Sequence, residues 1–213
     1  MLFRNYYLII VLLLLFGCNQ KKNSSNINNY IKEFYFSKTY HLDRSKEKNP
    51  IEMLEIDFIK NEEDFNNDFP GGRWIQSKNG EFDLNSFVDD SLFATLYLHT
   101  KVDIDEPQKA YFLLSVTDGA KVYVNKKLIS VHFGNNYNGE AKLVPFDFQK
   151  GRNNIVIKTI NKDWDWKIKC KILDEKQGQT LITERNKSQE FNDFLSIKLK
   201  PANYRHMYAS RVG

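Results

Sequence analysis

Between Leu92 and Leu173 the chain alternates short runs rich in Val, Ile, Tyr and Phe with clusters of turn-forming residues, and this punctuation constrains the fold more than any other feature. The apolar segments are 92–100, 110–116, 121–124, 127–133, 141–148, 154–160 and 166–173. The separators are Thr117-Asp118-Gly119, Asn125-Lys126, Gly134-Asn135-Asn136 and Lys150-Gly151-Arg152-Asn153, all residue types that reverse a chain cheaply. No segment sustains a 3.6-residue period and no strand-helix-strand spacing occurs. The pattern therefore predicts an all-β, antiparallel sandwich. Trp74, Gly80, Phe82 and Leu84 are expected to supply its opening strand and turn.

Period-two alternation assigns faces. Trp164, Trp166, Ile168, Cys170 and Ile172 fall on one side of the last run, and Asp165, Lys167, Lys169 and Lys171 on the other. That places both tryptophans and Cys170 in the core. Ile155 and Ile157 are likewise expected inside, with Lys158 opposite them. Downstream, residues 174–189 are polar and read as a linker. Phe191, Phe194, Leu195 and Leu199 then recur at helical spacing before Pro201, which predicts a short C-terminal amphipathic helix. The last residues, Tyr204 to Gly213, have no terminating logic: they read equally as a natural tail or as the entry to a further domain.

The N-terminus carries a different signal. Arg4 precedes an apolar run from Tyr6 to Phe16, too short to cross a bilayer, which takes about 20 residues. The run closes on Leu15-Phe16-Gly17-Cys18, which resembles the lipobox of bacterial lipoproteins, with Phe16 larger than the residue usual at that position. The resemblance implies cleavage before Cys18 and a lipid on its thiol. It places the protein in the cell envelope, lipid-anchored to an outer or cell membrane and exposed outside the cytoplasm. The tether after it is basic (Lys21-Lys22) and lacks an acidic cluster, which favours a periplasm-facing position. The expected organisation is a signal peptide at 1–17, a lipidated N-terminus and flexible tether at 18–50, the sandwich at 51–173, and a linker with a helical tail at 174–213. Within the second region, residues 30–40 read as a lead-in strand or short helix.

The motif order across Trp74 to Leu173 resembles the galactose-binding-domain-like jelly roll, a non-catalytic module of many bacterial glycoside hydrolases. The resemblance rests on Thr117-Asp118-Gly119-Ala120-Lys121-Val122-Tyr123-Val124-Asn125-Lys126-Lys127, on Phe148-Gln149-Lys150-Gly151-Arg152-Asn153-Asn154-Ile155-Val156-Ile157-Lys158, and on Asp163-Trp164-Asp165-Trp166. It implies a jelly-roll topology. Lys126 departs from it, because the family has Gly after the turn-opening Asn.

Chemistry-bearing constellations are sparse. The loop with His132, Phe133, Asn135, Asn136, Tyr137 and Glu140 combines aromatic rings with amides and a carboxylate, a set suited to a hydroxyl-rich ligand such as a glycan. Asp103, Asp105 and Glu106, and separately Asp89 and Asp90, are the only candidates for a structural calcium, and neither group has the spacing of a defined loop. The four histidines show no zinc spacing, and no nucleophile elbow, phosphate loop or dinucleotide fingerprint occurs. No cofactor or catalytic residue is therefore assigned. A net charge of +4, with acids and bases interspersed, argues against nucleic acid as a partner. Of the two cysteines Cys18 is committed to lipid, so no disulfide framework follows.

The leading expectation is a monomeric, membrane-anchored, non-catalytic binding or accessory module, with carbohydrate as its ligand class. The alternatives are the front module of a longer secreted hydrolase, and a structural interaction protein of the envelope.

Overall fold

The computed structural model describes residues 29–41, 50–59, 69, 71–162 and 164–198. The signal segment, Cys18, the Lys21-Lys22 stretch and the tail from 199 onward lie outside the described residues. Among the described residues no helix is long and apolar enough to cross a membrane. The strands are β1 (Glu33–Phe36), β2 (Tyr40–His41), β3 (Arg73–Gln76), β4 (Glu81–Asp83), β5 (Ala94–Ile104), β6 (Gln108–Val116), β7 (Gly119–Val124), β8 (Lys127–Phe133), β9 (Lys142–Phe148), β10 (Gly151–Asn161) and β11 (Lys167–Asp174). Two α-helices accompany them, α1 (Pro50–Glu55) and α2 (Glu175–Lys198), with a 3-10 turn at Leu84–Phe87.

The strands form two antiparallel sheets packed as a sandwich. The larger runs β3-β1-β5-β10-β7-β8, with β2 also paired to β5, and the smaller runs β4-β11-β6-β9. The longest pairing, β5 with β10, runs in unbroken register from Ile104↔Gly151 to Ala94↔Asn161. Inner faces alternate as the pattern requires. Leu96 and Leu98, Val122 and Val124, and Ile155 and Ile157 meet Phe112, Leu114, Ile168, Cys170 and Ile172 in one core. Each such side chain contributes on the order of 1.5–3 kcal/mol on burial. Trp166 is fully buried among them, and its Nε1 donates to Thr159 Oγ1 at 3.2 Å.

Two turns are tied together by asparagines. Asn125 and Lys126 both take positive φ, 49° and 70°, the geometry of a type I′ hairpin between β7 and β8. Lys126 adopts it without the freedom of glycine, at about 1–2 kcal/mol. Asn125 holds the turn in place: its Nδ2 donates to Asn153 Oδ1 at 2.8 Å, and its Oδ1 accepts from Asn154 N at 2.9 Å. Fully buried Asn153 in turn donates to the carbonyls of Gln149 and Gly151 and accepts from Gln149 N.

Three features depart from the sequence expectation. First, Lys158 does not face solvent, although it lies opposite Ile155 and Ile157. The outer face of the larger sheet is covered by α1 and the residues after it, where Met53 and Leu54 pack with Ile160, and Ile59 and Phe69 with Tyr97 and Val156. Lys158 is completely buried beneath this cover. Second, the lead-in read at 30–40 as a strand or short helix is the strand β1, and its pairing with β3 and β5 carries the sandwich back ahead of the boundary expected at residue 51. Third, the polar stretch after β11 is helix rather than linker. Asp174 accepts from Gln177 N at 2.7 Å as its N-cap, and α2 then runs without a break over the outer face of the smaller sheet. Gly178 makes that approach possible, since a Cβ there would lie 2.0 Å from the Tyr111 ring. Phe191, Phe194 and Leu195 belong to the same helix, and their side chains and Leu199 lie outside the described residues.

Candidate functional site

The loop from Gly134 to Glu140 leaves β8 and returns to β9, and it does not act as one cluster. Asn136 is turned inward: Nδ2 donates to Leu114 O at 3.1 Å, and Oδ1 accepts from Val116 N at 2.7 Å. Its own N also donates to Val116 O. Glu140 reaches the other way, to an ion pair with Arg185 Nε on α2 at 2.5 Å, while the same guanidinium donates to Ala141 O. His132 is half-buried with Nε2 3.0 Å from Gly134 O, and burial holds its pKa below the ordinary histidine value. Phe133 stays exposed. These contacts give Asn136 and Glu140 structural employment.

Asn135 and Tyr137 point to different surfaces. The Asn135 side chain closes an Asx turn by accepting from Tyr137 N at 3.0 Å, and the residue lines a depression at the end of the sandwich. The depression has a volume of about 470 Å³ and is walled by Thr117, Asp118, Asn135, Lys162, Trp164 and Asp165. Trp164 is the second correction to the face assignment. It is 81% exposed and lies ahead of β11, whose alternation begins only at Lys167. Asn85 Nδ2 donates to Trp164 O at 2.5 Å and so fixes its backbone.

The carboxylates of the depression are engaged. Asp118 Oδ2 accepts from Lys162 N at 2.8 Å, and Asp165 lies 3.5 Å from Lys167 Nζ. The result is an open apolar ring beside an amide, two oriented carboxylates and an ammonium. That arrangement suits stacking against a ligand with hydrogen-bonding edges. Reading the sequence by period alone misses Trp164, Asp118 and Lys162. The available signal was the acidic flank, Asp163 and Asp165, on either side of Trp164, which is unusual for a core residue.

Tyr137 instead belongs to the outward face of the smaller sheet. Burial raises its phenol pKa, Glu81 adds to the rise, and Lys169 and Lys167 oppose it. Glu81 and Lys169 form an ion pair of 2.7 Å, which holds the carboxyl below its usual range and raises the ammonium. Lys169 Nζ also lies 4.9 Å from the ring centroid of Tyr30, with Lys171 Nζ at 5.6 Å.

Three of the five carboxylates considered for calcium have other partners in the structure. Asp103 pairs with Arg152 at 3.2 Å and Glu106 with Lys150 at 3.6 Å, while Asp90 accepts from Leu92 N. Among the described residues no three His, Cys, Asp or Glu side chains converge as a metal site. Cys170 is buried and its thiol pKa is pushed far up by desolvation, the opposite of an activated nucleophile.

No family model matches the chain, and no curated protein matches it. Among solved structures it is similar to a β-glucosidase from Kluyveromyces marxianus, at 14% identity and a TM-score of 0.39 over 48% of this chain and 14% of that one. It is also similar to a β-glucuronidase from Ruminococcus gnavus, at 15% identity and a TM-score of 0.41 over 62% of this chain and 21% of that one. A β-glucuronidase from an uncultured Clostridium sp. gives 12% identity and a TM-score of 0.38, over 67% and 28%. The chain thus spans well under a third of the length of these enzymes, and no activity of this chain follows from the likeness.

Proposed function

We propose that the sandwich is a non-catalytic carbohydrate-binding module, carried on the outer side of a membrane by lipid at Cys18. The observation that supports it is the 81% exposure of Trp164 beside Asn135, Asp118 and Lys162. Trp164 is the most exposed of the large hydrophobic side chains among the described residues, ahead of Trp74 at 49%, and it stands at the wall of a depression lined with polar groups rather than alone on the surface. A pyranose offers the matching surface, with C–H groups on one face for the ring and hydroxyls at the edge for the amide, carboxylates and ammonium. A binding role is favoured over a catalytic one because Asp118 and Asp165 are already held by Lys162 N and Lys167.

The test is affinity electrophoresis of the mature chain through gels containing a β-glucan, a xylan, a galactan or a homogalacturonan. At least one polymer is expected to retard it, and Trp164→Ala is expected to lose about tenfold in affinity without a change in thermal midpoint. Equal retardation of parent and variant, or no retardation by any polymer, overturns the reading. For the anchor, Cys18→Ala is expected to move the protein from the membrane to the soluble fraction, and continued sedimentation with membranes overturns it.

A further inference from the structure

We infer that the ligand is a linear glycan chain, running from the Trp164 depression along the outward face of β11 to a second aromatic platform at Tyr30. The inference rests on the carbohydrate reading above and deepens it. Strand β11 starts three residues after Trp164, and Lys167, Lys169 and Lys171 point outward from it in succession. At about 3.3 Å per residue these three cover roughly 13 Å beyond the depression, room for more than one sugar ring.

The far end of that line carries a ring. Tyr30 forms a bridge with Lys171, so the two side chains share the outward face. The ammonium groups of Lys169 and Lys171 lie within 4.9 and 5.6 Å of its centroid, and the residue remains 37% exposed. Midway, Glu81, Lys169 and Ser115 form one cross-strand row, with Glu81 and Lys169 paired at 2.7 Å. Helix α2 bounds the platform where Gly178 and Gln179 meet Tyr111.

The chemistry selects the occupant. The rings are interleaved with partly exposed ion pairs, Lys167 with Asp165 and Lys169 with Glu81, whose side chains are 30–40% exposed in the second case. A protein partner would have to desolvate those pairs under an apolar contact, at a cost that such pairs do not return. Sugar hydroxyls hydrogen-bond to charged groups while the ring faces stack, so a glycan covers this surface without stranding a charge.

The experiment uses the mature chain with oligosaccharides of two to six units from whichever polymer retards it, measured by calorimetry. Affinity is expected to rise with chain length. Tyr30→Ala is expected to weaken hexasaccharide binding about fivefold and leave the disaccharide unchanged, and Tyr30→Phe to keep parental affinity because it keeps the ring. Affinity independent of length, with Tyr30→Ala equal to the parent, overturns the extended track while the Trp164 site stands. Loss of the Trp164 effect itself overturns the carbohydrate reading instead.

Discussion

Lys158 sits on β10 with no solvent exposure, and its ammonium donates to Leu54 O and Ile56 O, each at 2.6 Å, with Asp57 Oδ1 at 3.2 Å. The two carbonyls belong to the end of α1, where a helix leaves acceptors without intrahelical donors and carries partial negative charge. The lysine therefore fastens the six-residue helix to the sheet. Burial lowers its pKa and Asp57 resists that shift. Lys158→Met keeps the apolar stem and deletes the donor, stranding those acceptors. It is expected to cost about 2–4 kcal/mol in denaturant unfolding and to speed amide exchange at Phe58, whose N donates to Tyr97 Oη at 3.2 Å. An unchanged midpoint with unchanged exchange would show that α1 is held without Lys158, by Met53, Leu54 and the ion pair of Glu55 with Lys121.

At the scale of elements, helix α2 shows what polar patterning conceals. It meets the smaller sheet through Gly178 against Tyr111, a Gln179 hydrogen bond to the Tyr111 hydroxyl, and Arg185 with Glu140. None of these makes an apolar stripe, so residues 174–189 look like linker when read by hydrophobic period. Gly178→Leu is expected to lift the helix, making the bonds around residues 175–190 more open to protease and hydrogen exchange and costing about 1–3 kcal/mol. Retained protection across that span would refute the close packing.

The strands were legible for the converse reason. β9 and β11 bury alternate residues, β6, β7 and β10 are apolar runs buried on both faces over much of their length, and the turns between the strands carry Gly, Asn and Asp where the backbone needs them. Alternation speaks of one sheet's two faces, however, and cannot say whether a second layer covers the outer one. That is why Lys158 read as exposed. It also assumes that a strand has already begun, which failed at Trp164, three residues before β11. The candidate loop was found, but its residues part company in space: Asn135 lines the depression, Tyr137 turns to the smaller sheet, and Asn136 and Glu140 hold structure.

For the molecule as a whole, the cover over the larger sheet sets an alkaline limit. Burial raises the Tyr97 phenol far above 10, and burial, with Asp57 and Glu55 adding to it, pushes Tyr123 up to about 12. Above pH 10 the unfolded chain therefore releases protons that the folded chain keeps. The stability tied to these phenols is whole below pH 10 and is lost as pH climbs toward 12 and beyond. Lys158 works in the opposite sense, since its depressed pKa adds stability as pH approaches 10.5. Unfolding free energy is expected to fall steeply above pH 10 and less steeply in Tyr97→Phe, as measured by denaturant titration across that range. Identical slopes in both proteins would refute the assignment.

Asn136 has a last consequence at this scale. Beyond the Leu114↔Lys142 pair, where β9 begins, its side-chain amide takes up the Leu114 carbonyl and the Val116 N–H, standing in for the peptide unit of an absent neighbouring strand. Farther along the same border, Pro145 occupies β9 and cannot donate to an incoming chain. The border of the smaller sheet thus offers a second molecule little to zip onto, which guards against edge-to-edge polymerisation even where many copies are crowded together.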